Sequence, residues 1–424
     1  MPSPPQGYYA VSAGPLPPHP ALQHALRADV CVVGGGFTGL CAALHLAGKG
    51  AVTALVEAET IGFAASGRNG GQIHTGLRKD QAELERWLGP VHADQLWTLS
   101  EEAKTLVRDL IARHQIACDL KSGLVIAAHN ARAARALADD TAHLAQRYNY
   151  FAARMMDSEE TRSALGTAIY PAARFDSGGG HLHPLRFARG LAAAAEQSGA
   201  AIWERSPALA LEPEANHVTV RTPSATITAD RVILATDAFS GELVPALAPF
   251  IGHVESFVTA TAPLPPELSE TILPSDAAVA DTRHVLDYYR KSADGRMLFA
   301  GRESYLWPPR DIAALVRPRM LAVYPALASV PTEYAWSGTV GITRTRMPHF
   351  GRLGERIFFA HGYSGQGVAL ACLGGTLLAE AALGQSERFD VFARVPAERF
   401  PGGEVLRKPL VAAALVAFKV MDAL

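Results

Sequence analysis

Asp29-Val-Cys-Val-Val-Gly-Gly-Gly-Phe-Thr-Gly-Leu40 opens on a β-branched apolar run, closes on glycines at 34, 35, 36 and 39, and continues directly into Cys41-Ala-Ala-Leu-His-Leu-Ala47. That order reads as strand, tight turn and helix. A second apolar run, Ala51-Val-Thr-Ala-Leu-Val56, ends on Glu57, eighteen residues past Gly39. Strand, glycine turn, helix, second strand and acid in this register form the dinucleotide-binding βαβ unit. Each residue type has a separate task. Gly34 makes the turn, Gly36 lets backbone approach a pyrophosphate, Gly39 seats the helix close on the strands, and Phe37 and Thr38 open the helix. Helix amides and the positive end of the helix dipole hold a dianionic pyrophosphate without a cationic side chain. Glu57, with Ala58 beside it, stands where ribose hydroxyls are bound, and an acid there disfavours a 2′-phosphate, which sets NADP aside.

The rest of the composition agrees with a folded enzyme. The 424 residues are 49% apolar and 19% charged, which excludes disorder and leaves ample chain for a core. A net charge of −2 gives no global field for nucleic acid or anionic lipid, so we expect neither as a partner. Four cysteines (Cys31, Cys41, Cys118, Cys372) show no CxxC pair, which argues against a metal site and for core packing. The Pro-rich leader has no secretory pattern, and the Leu410 to Phe418 run is too short to cross a bilayer. A cytoplasmic protein with no integral membrane segment is the expectation, with residues 396–424 as a tail or terminal helix.

Two more segments bear on which dinucleotide is bound. Ala64-Ala-Ser-Gly-Arg-Asn-Gly-Gly-Gln72 offers small and amide side chains suited to close passage along an extended ligand. From it Ser66, Gly67, Asn69, Gly70 and Gln72 are candidate cofactor contacts. Arg356 to Ala360 reads as a buried strand, His361-Gly-Tyr-Ser-Gly-Gln-Gly367 as a turn, and Val368 to Leu383 as a helix whose N-terminus can face an electron-rich ring. Gly362, Ser364, Gly365, Gln366, Gly367 and Val368 join the candidates. Ala229 to Asp237 is a further strand leading into small residues, which adds Thr236; Ala208 is counted with the same group. These segments favour FAD over NAD, and since no second glycine motif is present to seat a nicotinamide coenzyme, the flavin is expected to be reduced by a substrate and reoxidised by oxygen or another carrier.

These motifs, with Gly178-Gly-Gly-His-Leu-His-Pro184, resemble the glycine and D-amino-acid oxidase superfamily of FAD enzymes. Tyr8-Tyr9-Ala10, Leu286-Asp-Tyr-Tyr-Arg-Lys-Ser-Ala-Asp-Gly-Arg296, Arg346-Met-Pro-His-Phe-Gly-Arg352 and Phe400-Pro-Gly-Gly403 are similar to its gamma-glutamylputrescine oxidase branch. The resemblance implies an α/β (α+β) fold, a Rossmann-like FAD-binding domain interleaved with a substrate domain on an antiparallel sheet plus helices. Residues 28–76, 181–245 and 341–395 fall to the first domain, and 77–180 and 246–340 to the second. It also implies oxidation of a primary amine of a polyamine derivative to an aldehyde, with ammonia and hydrogen peroxide released and molecular oxygen or another carrier as acceptor. Sarcosine oxidases tether flavin through a cysteine near the strand matching Trp336-Ser-Gly-Thr-Val-Gly341, and dimethylglycine-type dehydrogenases through a histidine in the loop matching 66–72. Neither residue stands there, so noncovalent FAD is expected, with His74 the nearest exception.

Hydride loss from an amine needs a neutral nitrogen, a positioned carbon and a dry pocket, with no obligatory acid or base. Aromatic walls suit an alkylammonium chain. Tyr288, Tyr289, Trp336 and Tyr363 are therefore candidates, with Tyr288 and Tyr289 on opposite faces of one strand. His74 and His361 are candidates to polarise flavin or substrate. Arg290, Arg302, Arg344 and Arg346 are candidate carboxylate partners. Lys291 is the nearest match to the lysine that speeds the oxygen reaction in sarcosine oxidases. Catalytic roles are thus assigned to Tyr289, Lys291, Trp336 and His74, and substrate contacts to Tyr288, Tyr363, Arg302 and Arg344. Two alternatives stay open: a D-amino-acid or N-methyl amino-acid dehydrogenase passing electrons to a quinone, and an FAD-binding subunit without turnover.

Overall fold

A computed structural model describes residues 7–15, 18–301 and 309–401 with their side chains, and the backbone of 302–304. The expected terminal helix at 410–418 and the side chain of Arg302 lie outside the described residues.

The glycine motif builds the first of two sheets. Strand Leu26–Val33 pairs in parallel with Thr53–Val56 on one side and Thr226–Leu234 on the other. Ala201–Trp203 and Ile357–His361 extend the parallel core outward, and His349–Leu353 closes one edge antiparallel. Such a sheet must be apolar on both faces. Val30 and Val32 point into one buried cluster with the helices Phe37–Gly48, Pro184–Gln197 and Gly367–Ala382. Cys31 and Val33, one residue out of phase, point into another with Val218, Val220 and Leu247. Two sites of glycine allow close packing: a Cβ on Gly375 would strike the Thr38 carbonyl oxygen, and one on Gly39 the Gly34 carbonyl oxygen.

The second sheet runs Thr332–Ile342, Gly252–Pro263, Arg296–Ser304, Tyr288–Lys291, Ala278–Asp281, Lys121–Ala128, Ala172–His181. Asp294-Gly295, a dipeptide suited to tight hairpin turns, joins Tyr288–Lys291 to Arg296–Ser304, with Gly295 at φ +75°. One face carries Val125, Val279, Tyr289, Phe257 and Phe299 into a closed apolar core. The opposite face turns toward the first sheet.

Three placements differ from the expected organisation. Ala278–Asp281 runs parallel to Lys121–Ala128, so the second sheet is mixed and not purely antiparallel. Gln72–Ile73, expected in the nucleotide half, pairs with Ala172–His181 in the second sheet. Helix Pro90–Arg113, expected in the substrate half, buries Leu96, Ala103 and Val107 in the nucleotide-side core. The reason is common to all three: hydrophobic surface pairs with the nearest apolar surface, whichever domain the sequence order suggests.

Candidate functional site

A cavity of about 1930 Å³ runs between the two sheets, well above the roughly 300–1,000 Å³ of a pocket for one small ligand. It begins at the glycine turn. Gly34 sits at φ +113°, and a Cβ there would lie 2.6 Å from the Ala235 carbonyl oxygen, so only glycine closes this turn. Helix Phe37–Gly48 has no side-chain cap from its own N-cap residue, Gly36. Ser66 supplies one from outside, its hydroxyl accepting from the Phe37 amide at 3.0 Å. Helix Gly367–Ala382 is likewise uncapped by Gln366. Two helix N-termini therefore face one cavity, an arrangement that favours anionic and electron-rich groups.

The acid at the end of the second strand has a task the sequence did not reveal. Glu57 lines the cavity, and its carboxylate accepts from the Gly35 amide at 2.6 Å and the Glu59 amide at 2.9 Å. Burial pushes its carboxyl up while these two amides pull it down. Asp237 plays a matching part at the far turn. Its buried carboxylate accepts from Gly362 at 2.7 Å and Gly341 at 3.2 Å, which fixes the 361–367 turn against the last strand of the second sheet. Burial raises this carboxyl too, against the same amide bonds. Asp237 ends the run Ala229–Asp237, where a lone acid gave no sequence signal.

Of the candidate cofactor contacts, Gly34, Gly36, Phe37, Thr38, Glu57 and Ala58 line the cavity. So do Ser66, Asn69, Gly70, Gln72, Ala208 and Thr236, and then Ser364, Gly365, Gln366, Gly367 and Val368. Gly39, Gly67 and Gly362 do not line it. They serve one layer below: Gly39 and Gly67 let backbones touch, and Gly362 takes φ +75°. The 64–72 segment, expected as open loop, contains a helical turn, Ala65–Arg68, tied by Asn69 to the Ala65 and Ser66 carbonyls. A long groove with glycine turns at both ends, two helix N-termini facing it and an acid at the ribose position fits an FAD molecule.

The catalytic and substrate candidates divide by strand parity. Tyr288 lines the cavity, its hydroxyl 2.9 Å from the Ser256 hydroxyl. Tyr289 faces the other way, stacked on Phe299 with ring centroids 5.3 Å apart and buried in the closed core. Lys291 shares that parity; its ammonium donates to the Ser269 carbonyl at 3.1 Å and does not reach the cavity. Trp336 is covered by Tyr9 at 5.3 Å and donates to the Arg68 carbonyl, so it braces the 64–72 segment. None of these three lines the cavity. His74 lines the cavity beside Gln72, and burial pushes its imidazole down to about 4, so it is neutral at pH 7. Tyr363 lines the cavity with its hydroxyl 2.9 Å from that of Thr38.

The arginines also separate. Arg290 donates to the carbonyls of Gly70, Leu182 and Lys291 and to the Tyr9 hydroxyl. Arg344 pairs with Glu398 at the surface. Arg346 alone of the candidates whose side chains are described lines the cavity. His361 is buried against His349, outside the cavity wall.

Residues 29–381 match the family model described as "FAD dependent oxidoreductase", named DAO. The chain is 38% identical over 419 residues to gamma-glutamylputrescine oxidoreductase of Escherichia coli (strain K12), covering 98% of each. It is 39% identical to the probable oxidoreductase OrdL of Rhizobium meliloti (strain 1021), over 99% of this chain and 98% of that one. Among solved structures, glycine oxidase from Geobacillus kaustophilus superposes with a TM-score of 0.73 at 20% identity, over 85% of this chain and 95% of its own. The motif, the cavity and this similarity converge: the chain belongs to the DAO family of FAD-dependent oxidoreductases.

Proposed function

We propose that the protein oxidises the primary amine of a gamma-glutamylputrescine-like polyamine derivative to an imine with oxygen as the electron acceptor, and that water hydrolyses the imine, giving an aldehyde, ammonia and hydrogen peroxide. Similarity across 98% of a gamma-glutamylputrescine oxidoreductase supports the substrate class. The observation that carries the reading is the apolar stretch of cavity wall formed by Val254, Val258, Ala280 and Val340 around Ser256 and Tyr288. An ammonium brought against such a wall loses water, its pKa falls, and the neutral amine needed for oxidation becomes accessible. Bound flavin supplies the two-electron acceptor. Tyr288, fixed by Ser256, and Tyr363, fixed by Thr38, bound the space in which the α-carbon is positioned. Neutral His74 adds a polar group without a competing positive charge.

An anaerobic panel tests the reading. Gamma-glutamylputrescine and related primary amines are expected to bleach the flavin absorbance, and D-amino acids and N-methyl amino acids are not. Bleaching by amino acids alone would overturn it. The placement of Lys291 away from the cavity favours a second reading, transfer of electrons to a quinone. Readmitting oxygen separates the two: peroxide in step with aldehyde supports the oxidase, and turnover only with a quinone supports the dehydrogenase.

The cofactor is proposed to be noncovalent. Among the described residues no cysteine lines the cavity. Acid precipitation is expected to leave the yellow colour in the supernatant. Colour retained in the pellet would point to His74 as the attachment position.

A further inference from the structure

The cavity does not end at Tyr288. It continues past Leu124 and Ile126 into a lobe closed by Leu137 and Asp140 of helix Ala131–Tyr148 and by the segment 77–83. Strand register ties this lobe to the reaction end. Tyr288 lies opposite Ala280, Ala280 opposite Ile126, and Ile126 opposite Arg174. These four positions form one row across the sheet, and three interstrand steps put Arg174 roughly 14 Å from Tyr288.

Between those ends the row carries only Ala280 and Ile126. Charge is gathered at the far one. Arg174 donates from Nη1 to the Asp140 carboxylate at 2.6 Å, with each side chain only 15% exposed. Among the described residues this is the one hydrogen bond of Arg174, whose guanidinium carries five N–H donors, and its Nε is buried without a partner. Asp80 completes the group. It occupies the N-cap of helix Gln81–Leu88, where aspartate ordinarily accepts from a first-turn amide. Here it makes no such bond, and it lines the lobe. Burial and then Asp140 push its carboxyl up, while Arg174 pulls it down, so the three groups feel one another. Asp176 is different: Thr75, Tyr150 and the Gly178 amide already fill its oxygens.

We infer that this lobe is a second recognition point, holding an α-amino-acid group at the end of the substrate remote from the oxidised carbon. Its ammonium lies between Asp80 and Asp140, and its carboxylate on the Arg174 guanidinium. The inference rests on the amine-oxidising reading above and adds the place in the fold where the distal group is held. The charges select it. A second ammonium alone would leave the guanidinium unmatched, a lone carboxylate would face two acids, and an uncharged end would match neither. Length agrees as well: in a gamma-glutamyl amide of a four-carbon diamine, roughly nine bonds separate the oxidised nitrogen from the α-carbon, the span of three extended residues or about 10 Å.

The holoenzyme tests this with four amines: gamma-glutamylputrescine, N-acetylputrescine, putrescine and a linear triamine. The wild type is expected to favour the first over the second by about 100-fold or more in kcat/KM, since a site built for charged partners discriminates strongly against their absence. In Asp80→Asn that ratio is expected to fall about tenfold, through KM rather than kcat, as loss of one charge-assisted hydrogen bond dictates. Arg174→Met is expected to remove more of it, and should that variant not fold, Asp80→Asn, an isosteric change that removes one charge, still decides. An unchanged ratio in Asp80→Asn, equal use of the head-bearing and acetylated amines, or a preference for the triamine would each overturn the inference while leaving amine oxidation intact. Failure of all four amines to bleach the flavin would instead overturn the amine reading itself, and the distal site with it.

Discussion

Gly39→Ala is expected to purify without flavin or not to fold at all. Helix Phe37–Gly48 lies so close on the turn that a single methyl at position 39 would fall on the Gly34 carbonyl oxygen, which is backbone and cannot rotate away. The helix must then lift from the turn, carrying the Phe37 amide away from Ser66 and opening the contact of Thr38 with Gly375. Overpacking against backbone costs about 3 kcal/mol or more. The same substitution at Gly48 is the control: it sits at the end of the same helix, with open space where the methyl would go. Gly48→Ala should hold flavin normally and change stability by less than about 1 kcal/mol. The ratio of flavin to protein absorbance in the two variants reads the result. A fully yellow Gly39→Ala protein would mean that the turn does not carry the cofactor.

Acid should loosen the fold well before the carboxylates titrate. His181, His183, His349 and His361 are held neutral by burial, which pushes them down to about 4, 3, 4 and 3. The neutral rings also take part in hydrogen bonds. His183 accepts from the Arg186 amide on Nδ1, and His349 and His361 share one bond between their rings. Below the unfolded value of about 6.5 the unfolded chain binds four protons that the folded one refuses, so stability present above that value is lost as pH falls. Asp281 acts oppositely. Burial and Asp287 raise it to about 6, so its contribution is gained as pH falls through that value. His74, which burial holds near 4, adds a fifth such proton, and between pH 7 and 5.5 the balance is a loss of about 5 kcal/mol. For a chain this long that lowers Tm by about 6 °C. A flat Tm over this window would show these histidines charged in the fold.

The nucleotide half was legible because its information is local. Strand, turn, helix and acid occur within Asp29–Glu57, and each residue type has one physical reason to be there. The substrate half was legible only as alternation. Strand period two required Tyr288 and Tyr289 to part, but which one met the cavity was set by the sheet's partners, not by the strand. The same parity excludes Lys291 once Tyr288 is placed inside, an inference the sequence permitted and composition obscured. Trp336 was misread for another reason. It does face the right side of its strand, opposite Val258, but Tyr9 from the leader covers it, and contact between residues so distant has no local signature. Asp80, Asp140 and Arg174 were invisible on the same ground: a helix cap, a helix face and a strand, joined only by the sheet register.

The first helix, Tyr8–Ser12, has a consequence in time. Tyr9 rests on Trp336 and receives a hydrogen bond from Arg290, Tyr8 bonds Asp294, and Leu26–Val33 needs Thr226–Leu234 beside it, which in turn pairs with Ile357–His361. The ribosome makes the leader first and its seat last. At about 5–20 residues per second, the interval between Tyr8 and Trp336 is roughly 16–65 s. Throughout it a Tyr-Tyr pair and an incomplete parallel sheet wait with apolar surface uncovered. The order of synthesis thus places the exposure of this apolar surface in the nascent chain and not in the finished enzyme.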